Sequence, residues 1–319
     1  MKNSGIKWMV CGMVCLASSA YAGEPVPQNS EPSQKQIKVL CSTFPVYLFT
    51  KNIVAGSDTM QVGLMLPAAL GCPHDYMVTP QDLQRLTEAQ VLIINGLGME
   101  SFLEKSLRKA DSHLIVIDSS QGITDLIQLG EDAEDSDSID SHEHHHTGVN
   151  PHLFASPRLA AQITQNIAAE ISKIDPAHQD LYQKNAKQYA EKLNRLAEEF
   201  QSAARSFRSV KIVTEHAVFD YLARDCGLEV AAIVEESPGQ EPAADQMLQL
   251  VRIIRESKAA ALFTEPQYPA KIGQTLARET GIPVAVLDPV AGGPDNAPAD
   301  YYEIVMRHNL ETLKKTLAR

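Results

Sequence analysis

Positive charge is scarce in this sequence. It holds 28 Lys and Arg residues against 40 Asp and Glu residues, a formal net charge of −12 over 319 residues. Because proteins bind nucleic-acid phosphates mainly through Lys and Arg, this balance argues against a nucleic-acid partner. An acidic surface is compatible with attracting cations, although it also serves solubility.

Long apolar runs are missing after the first 22 residues. A membrane-spanning helix needs about 20 consecutive apolar residues, so we expect no membrane insertion of the mature chain. The first 22 residues contain Lys2 and Lys7, an apolar core at 8–16 and the small-residue site Ala20-Tyr21-Ala22. This layout is typical of a cleavable secretory signal and predicts a periplasmic protein.

Cysteine is also sparse, with Cys41, Cys72 and Cys226 following the leader. In an oxidising compartment, three cysteines allow one disulfide and leave one thiol over. Cys41 and Cys72 both lie near the ends of strands expected to be neighbours. We therefore expect these two to pair.

Strand and helix patterns alternate through most of the chain, which predicts βαβ units and mainly parallel sheets. The fold class is therefore α/β, with two lobes, each a parallel sheet flanked by helices. The predicted strands are 37–41, 60–66, 91–95 and 114–118 in the first lobe, and 210–214, 228–234, 259–263 and 284–287 in the second.

The expected organisation has five parts. A signal peptide (1–22) and a flexible tether (23–36) precede an N-terminal lobe (37–175). One long helix (176–207) links this lobe to a C-terminal lobe (208–319). Within the first lobe, residues 131–147 lose all hydrophobic periodicity and form an acidic, His-rich loop with no means of building a core.

Ligands bind in parallel α/β sheets beyond the carboxyl ends of strands, where His74, His216 and Asp288 are expected, while His152 lies between the acidic loop and the next helix. His74 and His152 belong to the first lobe, and His216 and Asp288 to the second. Such residues can meet only in a cleft between the lobes. Three imidazoles and one carboxylate form an ordinary four-coordinate Zn²⁺ site, although imidazole also suits copper and nickel.

The chain resembles the zinc and manganese solute-binding proteins of ABC importers, the cluster with a rigid helix between its lobes. The resemblance covers nearly the whole mature chain. Its motifs occur in the family's order: Pro73-His74-Asp75-Tyr76, Asn150-Pro151-His152-Leu153-Phe154, Glu215-His216-Ala217-Val218, Thr264-Glu265-Pro266-Gln267 and Leu287-Asp288-Pro289.

The resemblance implies that His74, His152, His216 and Asp288 bind the metal. Manganese binders of the family tend to have a carboxylate where this chain has His216, so zinc is expected and manganese is the alternative. The fourth ligand differs among members between a carboxylate and water. Glu265 is the alternative fourth ligand, and its expected role is to accept a hydrogen bond from an imidazole N–H.

The resemblance also implies the partners. The protein would be a monomer that carries Zn²⁺ as cargo to the membrane permease of an ABC importer, with little bending between its lobes. Zinc-binding members carry a comparable loop before the second ligand. We therefore expect auxiliary, weaker zinc binding by His142, His144, His145 and His146.

One position departs from the family pattern, since Cys72 stands where many relatives have an acidic residue. A disulfide or simple packing is the expected role of Cys72, with metal ligation as the alternative. His113, His178 and His308 have no supporting context, so they are expected to be ordinary surface or packing residues.

A secreted zinc hydrolase is the alternative from another class, with Glu215 or Glu265 as general base. The chain has no His-Glu-x-x-His helix, no Gly-x-Ser-x-Gly elbow and no second cluster to position a substrate. A fourth ligand at Asp288 would also leave no place for an activated water. We therefore expect the protein not to be an enzyme.

Overall fold

The computed structural model describes residues 36–73, 76–108, 113–129, 148–207, 211–235 and 242–317. The expected leader, nearly all of the tether and the loop 131–147 lie outside these ranges. Among the described helices, none is both long enough and apolar enough to cross a bilayer.

The first lobe is a four-stranded parallel sheet in the order β2-β1-β3-β4. Its two central strands are mostly buried, whereas the two edge strands are partly exposed. The second helix begins at a capping box in which Thr79 and Asp82 satisfy each other's backbone N–H groups. The elements are β1 (Ile37–Cys41), α1 (Phe44–Ile53), β2 (Met60–Leu64), α2 (Pro80–Glu88), β3 (Val91–Ile94), α3 (Glu104–Leu107) and β4 (Ile115–Asp118).

The second lobe repeats this plan, with a four-stranded parallel sheet in the order β6-β5-β7-β8. Helices connect successive strands, and the chain ends in a long helix that packs back onto the molecule. The elements are β5 (Lys211–Thr214), α6 (Asp220–Asp225), β6 (Glu229–Ile233), α7 (Ala244–Ser257), β7 (Leu262–Thr264), α8 (Lys271–Thr280), β8 (Val284–Val286) and α9 (Tyr301–Leu317).

Two long helices lie between the sheets in the chain. Ser156 caps α4 (Pro157–Ile174) by accepting a hydrogen bond from Leu159 N, and Pro157 occupies its first turn. After a 3-10 turn at Pro176–His178, α5 (Gln179–Ala204) runs for 26 residues, about 39 Å at 1.5 Å per residue. The predicted fold class, with two α/β lobes and a long helix between them, is confirmed. The exact domain boundaries stay a prediction.

One continuous hydrophobic core includes residues of both lobes and of the helices between them. Helix α5 packs against α1 and α4 and also against α9 of the second lobe. The hydroxyl of Tyr302, on α9, donates to Phe154 O at 2.7 Å. Since moving the lobes apart would expose this shared core to water, the fold resists large hinge motions.

The expected Cys41–Cys72 disulfide is wrong, because all three described cysteines are free thiols. Cys41 is fully buried at the end of β1, where Thr50 is its hydrogen-bonding partner. The Cys72 thiol instead lies with the imidazoles of His152 and His216. The proximity of two strand ends did not predict the pairing of these cysteines, since their thiols lie in different environments.

Candidate metal centre

His152 lies in a turn that two neighbouring side chains hold in place. The turn leads from Asn150 and Pro151 into the 3-10 turn at Leu153–Ala155, directly before α4. Asn95, after β3, donates from its amide to Pro151 O at 2.9 Å. Tyr221, on α6 of the other lobe, donates its hydroxyl to Asn150 O at 2.7 Å.

The Asn150 side chain orients the His152 ring. Its Oδ1 accepts from the backbone N–H of His152 at 3.0 Å and lies 2.8 Å from Nδ1 of the ring. Its Nδ2 donates to Ala217 O and to Asp220 Oδ2, both in the second lobe. The amide oxygen therefore favours the tautomer with the proton on Nδ1, which leaves the Nε2 lone pair for a metal.

His216 follows β5 and Glu215, and its side chain is as deeply buried as that of His152. The relative exposures are 1% for His216 and 3% for His152. Glu265, the residue after β7, contacts Nδ1 of His216 through Oε1. A carboxylate behind the ring fixes the tautomer and raises the basicity of the other nitrogen, as in many metal sites.

The two imidazoles meet although 64 positions separate them in the chain. Their ring centroids are 5.2 Å apart, with the ring planes at 77°. Cys72, in the segment between β2 and α2, joins them. One possible ligand atom from each of the three residues lies within 4.8 Å of the others. Two imidazoles and a thiol are donors that suit Zn²⁺.

Buried carboxyl groups surround the His216 half of this group. Glu215 Oε2 accepts from the Glu265 backbone N–H, and both carboxyl groups are buried. Burial raises the pKa of Glu265 well above its ordinary value, and the charges of Asp288 and Glu235 add to the rise. Burial likewise raises the pKa of Glu215 to about 7. A divalent cation would relieve this crowding of carboxyl groups.

Burial lowers the pKa of His216 to about 3. The imidazole is therefore neutral at physiological pH, and the neutral ring is the form that binds metal. The structure presents His216 without a proton to displace from its ligating nitrogen.

Asp288 lies after β8, at the edge of the cleft. Its Oδ1 accepts from Val290 N at 2.8 Å and from Gln267 Nε2 at 3.3 Å. Burial raises the pKa of its carboxyl group. Among the described residues, the group of close donors contains Cys72, His152 and His216 and does not extend to Asp288. Ligation by Asp288 stays a prediction.

His74 lies outside the described residues, although Cys72 and Pro73 immediately before it are placed at the cleft. His142, His144, His145 and His146 also lie outside the described residues. Of the histidines expected to be ordinary, His113 and His308 are exposed. His178 pairs with Asp175 beside the 3-10 turn, with its Nδ1 3.0 Å from Oδ2.

Comparison with known proteins places this chain in a family. A profile of the family described as "ZnuA: Zinc-uptake complex component A periplasmic" matches residues 39–316. The chain belongs to this family. That match spans both sheets and every described residue of the metal centre.

Relatives and solved structures agree with this family. The chain is 31% identical over 309 residues to the high-affinity zinc uptake system protein ZnuA of Bacillus subtilis (strain 168), covering 95% of each protein. It is similar to the Ni²⁺ complex of the solute-binding protein FpvC of Pseudomonas aeruginosa, with 27% identity and a TM-score of 0.75. That match covers 89% of this chain and 97% of FpvC. A zinc-bound ZnuA deletion mutant is 28% identical with a TM-score of 0.72, covering 89% and 99%.

Sequence analysis missed one feature of this family member and gave another only as an alternative. Asn150 acts as the partner of His152, and Cys72 faces the two imidazoles rather than another cysteine. The position of Asn150 two residues before His152 is a signal that could have been used, because a side-chain amide there reaches the ring. Nothing in the sequence indicates where the Cys72 thiol points.

Proposed function

We propose that the protein captures Zn²⁺ outside the cytoplasm and delivers it to the membrane permease of an ABC-type importer. The observation that carries this proposal is the meeting of two buried imidazoles, one from each lobe, each backed at Nδ1 by an oxygen. Buried imidazoles held in one tautomer are donors that suit Zn²⁺. The relative from Bacillus subtilis is named for high-affinity zinc uptake.

In this proposal His152 and His216 are ligands, and His74 supplies the third imidazole from the adjoining loop. Asp288 is the predicted fourth ligand. Glu265 acts on His216 by holding its ring, which supports the expected role behind the imidazole rather than on the metal. The histidines of the loop 131–147 remain proposed as weaker, auxiliary zinc ligands.

Imidazole donors support zinc over manganese, because Mn²⁺ prefers carboxylate and water oxygens. Manganese remains the alternative cargo, since the similar protein FpvC has been solved in complex with Mn²⁺ and with Ni²⁺. A hydrolase is less well supported. Glu265 is engaged by His216, and Glu215 is engaged through Oε2 by the backbone of Glu265.

The proposed delivery of zinc to the permease has three steps: export of the chain, binding of the metal and recognition by the permease. A cleavable leader at residues 1–22 would export the chain, and the mature protein would work as a soluble periplasmic monomer. Because the lobes share one core, any movement around the metal would be small. The permease would then recognise the pair of lobes in their metal-bound arrangement.

The test is to replace His216 with Glu and to measure zinc and manganese affinity by competitive calorimetry. We expect the H216E variant to bind zinc at least about 10- to 100-fold more weakly and to show a narrower preference over manganese. His178→Ala is the matched control, because His178 is a partly buried histidine outside the cleft. Undiminished zinc affinity in H216E would remove His216 from the site.

A further inference from the structure

The loop that carries Cys72 makes hydrogen bonds to the second lobe at two points. The backbone of Cys72 is hydrogen-bonded to the phenolic oxygen of Tyr268. A few residues earlier, Ala68 O accepts from Gly293 N at 2.8 Å. The ring of Tyr268 in turn stands edge-on to that of His216, with centroids 6.1 Å apart. The second lobe therefore fixes where Cys72 stands relative to His216.

The thiol is nine-tenths buried, with a relative exposure of 9%. A cavity beside Cys72 is walled in part by Met99, Phe154 and Ala291. Burial raises the pKa of the Cys72 thiol well above its ordinary value, with the charge of Glu265 adding to the rise. Without metal the group is therefore an unreactive thiol.

The distances fit tetrahedral zinc after a small contraction. Zn–N bonds of about 2.1 Å and a Zn–S bond of about 2.3 Å place neighbouring donors about 3.5 Å apart. The candidate donor atoms of Cys72, His152 and His216 already lie within 4.8 Å of one another. Bringing these atoms to tetrahedral separations therefore needs a shift of roughly 1 Å.

We propose that Cys72, rather than Asp288, is a direct ligand of the transported metal. Its thiolate would bind the metal together with the imidazoles of His152 and His216. As the metal–sulfur bond forms, the thiol loses its proton to solvent. Asp288 keeps its described role, in which Oδ1 accepts the backbone N–H of Val290 and shapes the loop after β8. A thiolate ligand also disfavours Mn²⁺, which prefers oxygen donors.

This inference rests on the proposed function, since it assigns one ligand of the same site. Its test uses Co²⁺, because zinc has a filled d shell and gives no absorption bands of its own. The metal-free, reduced full chain is titrated with Co²⁺, and the near-ultraviolet sulfur-to-cobalt charge-transfer band is recorded. We expect the band in the wild type and its loss in Cys72→Ala.

Two controls separate Cys72 from the other thiols and from Asp288. The variant in which Cys11, Cys15, Cys41 and Cys226 are all alanine leaves Cys72 as its one thiol, and the band should persist. Asp288→Asn should also keep the band. For zinc itself, Cys72→Ser should bind at least about tenfold more weakly than the wild type, by analogy with losses at metal-supporting residues.

The outcomes are distinct. A wild-type chain that binds Co²⁺ and Zn²⁺ without the band, or a band unchanged in Cys72→Ala, would overturn Cys72 ligation and leave the proposed function standing. A wild-type chain that binds neither metal would overturn both. The band in the wild type and in the variant that keeps only Cys72 tests the proposal directly. The test therefore holds even if Cys72→Ala fails to fold.

Discussion

The two halves of the metal centre hold their imidazoles by different means. In the first lobe, His152 is oriented by the neutral amide of Asn150. In the second, His216 is oriented by Glu265, with Glu215 bonded to the Glu265 backbone. The first half provides a neutral amide, and the second half provides buried carboxyl groups whose ionisation burial disfavours. A metal ion would therefore favour ionisation of the carboxyl groups of one lobe while it contacts the imidazole of the other.

This difference predicts opposite effects on the metal-free protein. Crowded carboxyl groups cost stability until a cation arrives, whereas the amide contributes hydrogen bonds whether or not metal is present. Removing a carboxyl group should weaken metal binding and stabilise the metal-free form. Removing the amide should weaken metal binding and also destabilise the metal-free form.

The largest effect is expected for Glu265→Gln. Losing the carboxylate behind His216 should lower zinc affinity about 10- to 100-fold. The folded-state pKa of Glu265 is raised, so the wild type loses stability as pH rises above the ordinary carboxyl value. The variant lacks this loss and should be the more stable metal-free protein at pH 7 but not at pH 4. Calorimetry and urea unfolding at both pH values measure the two effects.

Glu303→Gln is the control for that experiment. Glu303 is a half-buried carboxyl group bonded to the Tyr189 hydroxyl, and burial raises its pKa as well. It should leave zinc affinity unchanged. If Glu265→Gln destabilised the metal-free protein at pH 7, the assignment of charge crowding to the second lobe would be wrong.

Asn150→Ala should have the next largest effect. It leaves the partly buried acceptors Ala217 O and Asp220 Oδ2 without this donor, which should cost about 1 kcal/mol in the free energy of unfolding. It also releases the His152 ring, so zinc affinity should fall about tenfold. The control is Asn166→Ala, which removes amide hydrogen bonds to Ser119 O and Gln121 O rather than to residues of the metal centre. Equal zinc affinities in the two variants would remove Asn150 from the site.

The smallest effect is expected where the two halves touch. A Cβ on Gly292 would lie 2.8 Å from Ala68 O and 3.1 Å from Gly71 N. Gly292→Ala should therefore push the Cys72 loop from the second lobe and lower zinc affinity about threefold, with an unfolding cost of about 1 kcal/mol. Gly63→Ala is the control, because its nearest neighbour would be 3.8 Å away. Matching affinities would show that this contact does not position the loop.

Much of the fold could be predicted from the residues alone. The apolar runs at 37–41 and 211–214 coincide with central strands, because a buried parallel strand needs an almost continuous apolar sequence. The end of a strand also locates candidate ligands, as His216 shows. What failed was the disulfide, because strand position says nothing about the direction of a side chain.

By itself, the sequence determined the alternation of strands and helices, the two parallel sheets and which histidines follow strand ends, since each depends on local periodicity. Tertiary structure alone decided which donors meet. Cys72, His152 and His216 come together because the packing of both lobes on one core sets their separation. The tertiary structure also decided that His152 contacts the amide of Asn150 and that His216 contacts the carboxyl group of Glu265, because these contacts form only on folding.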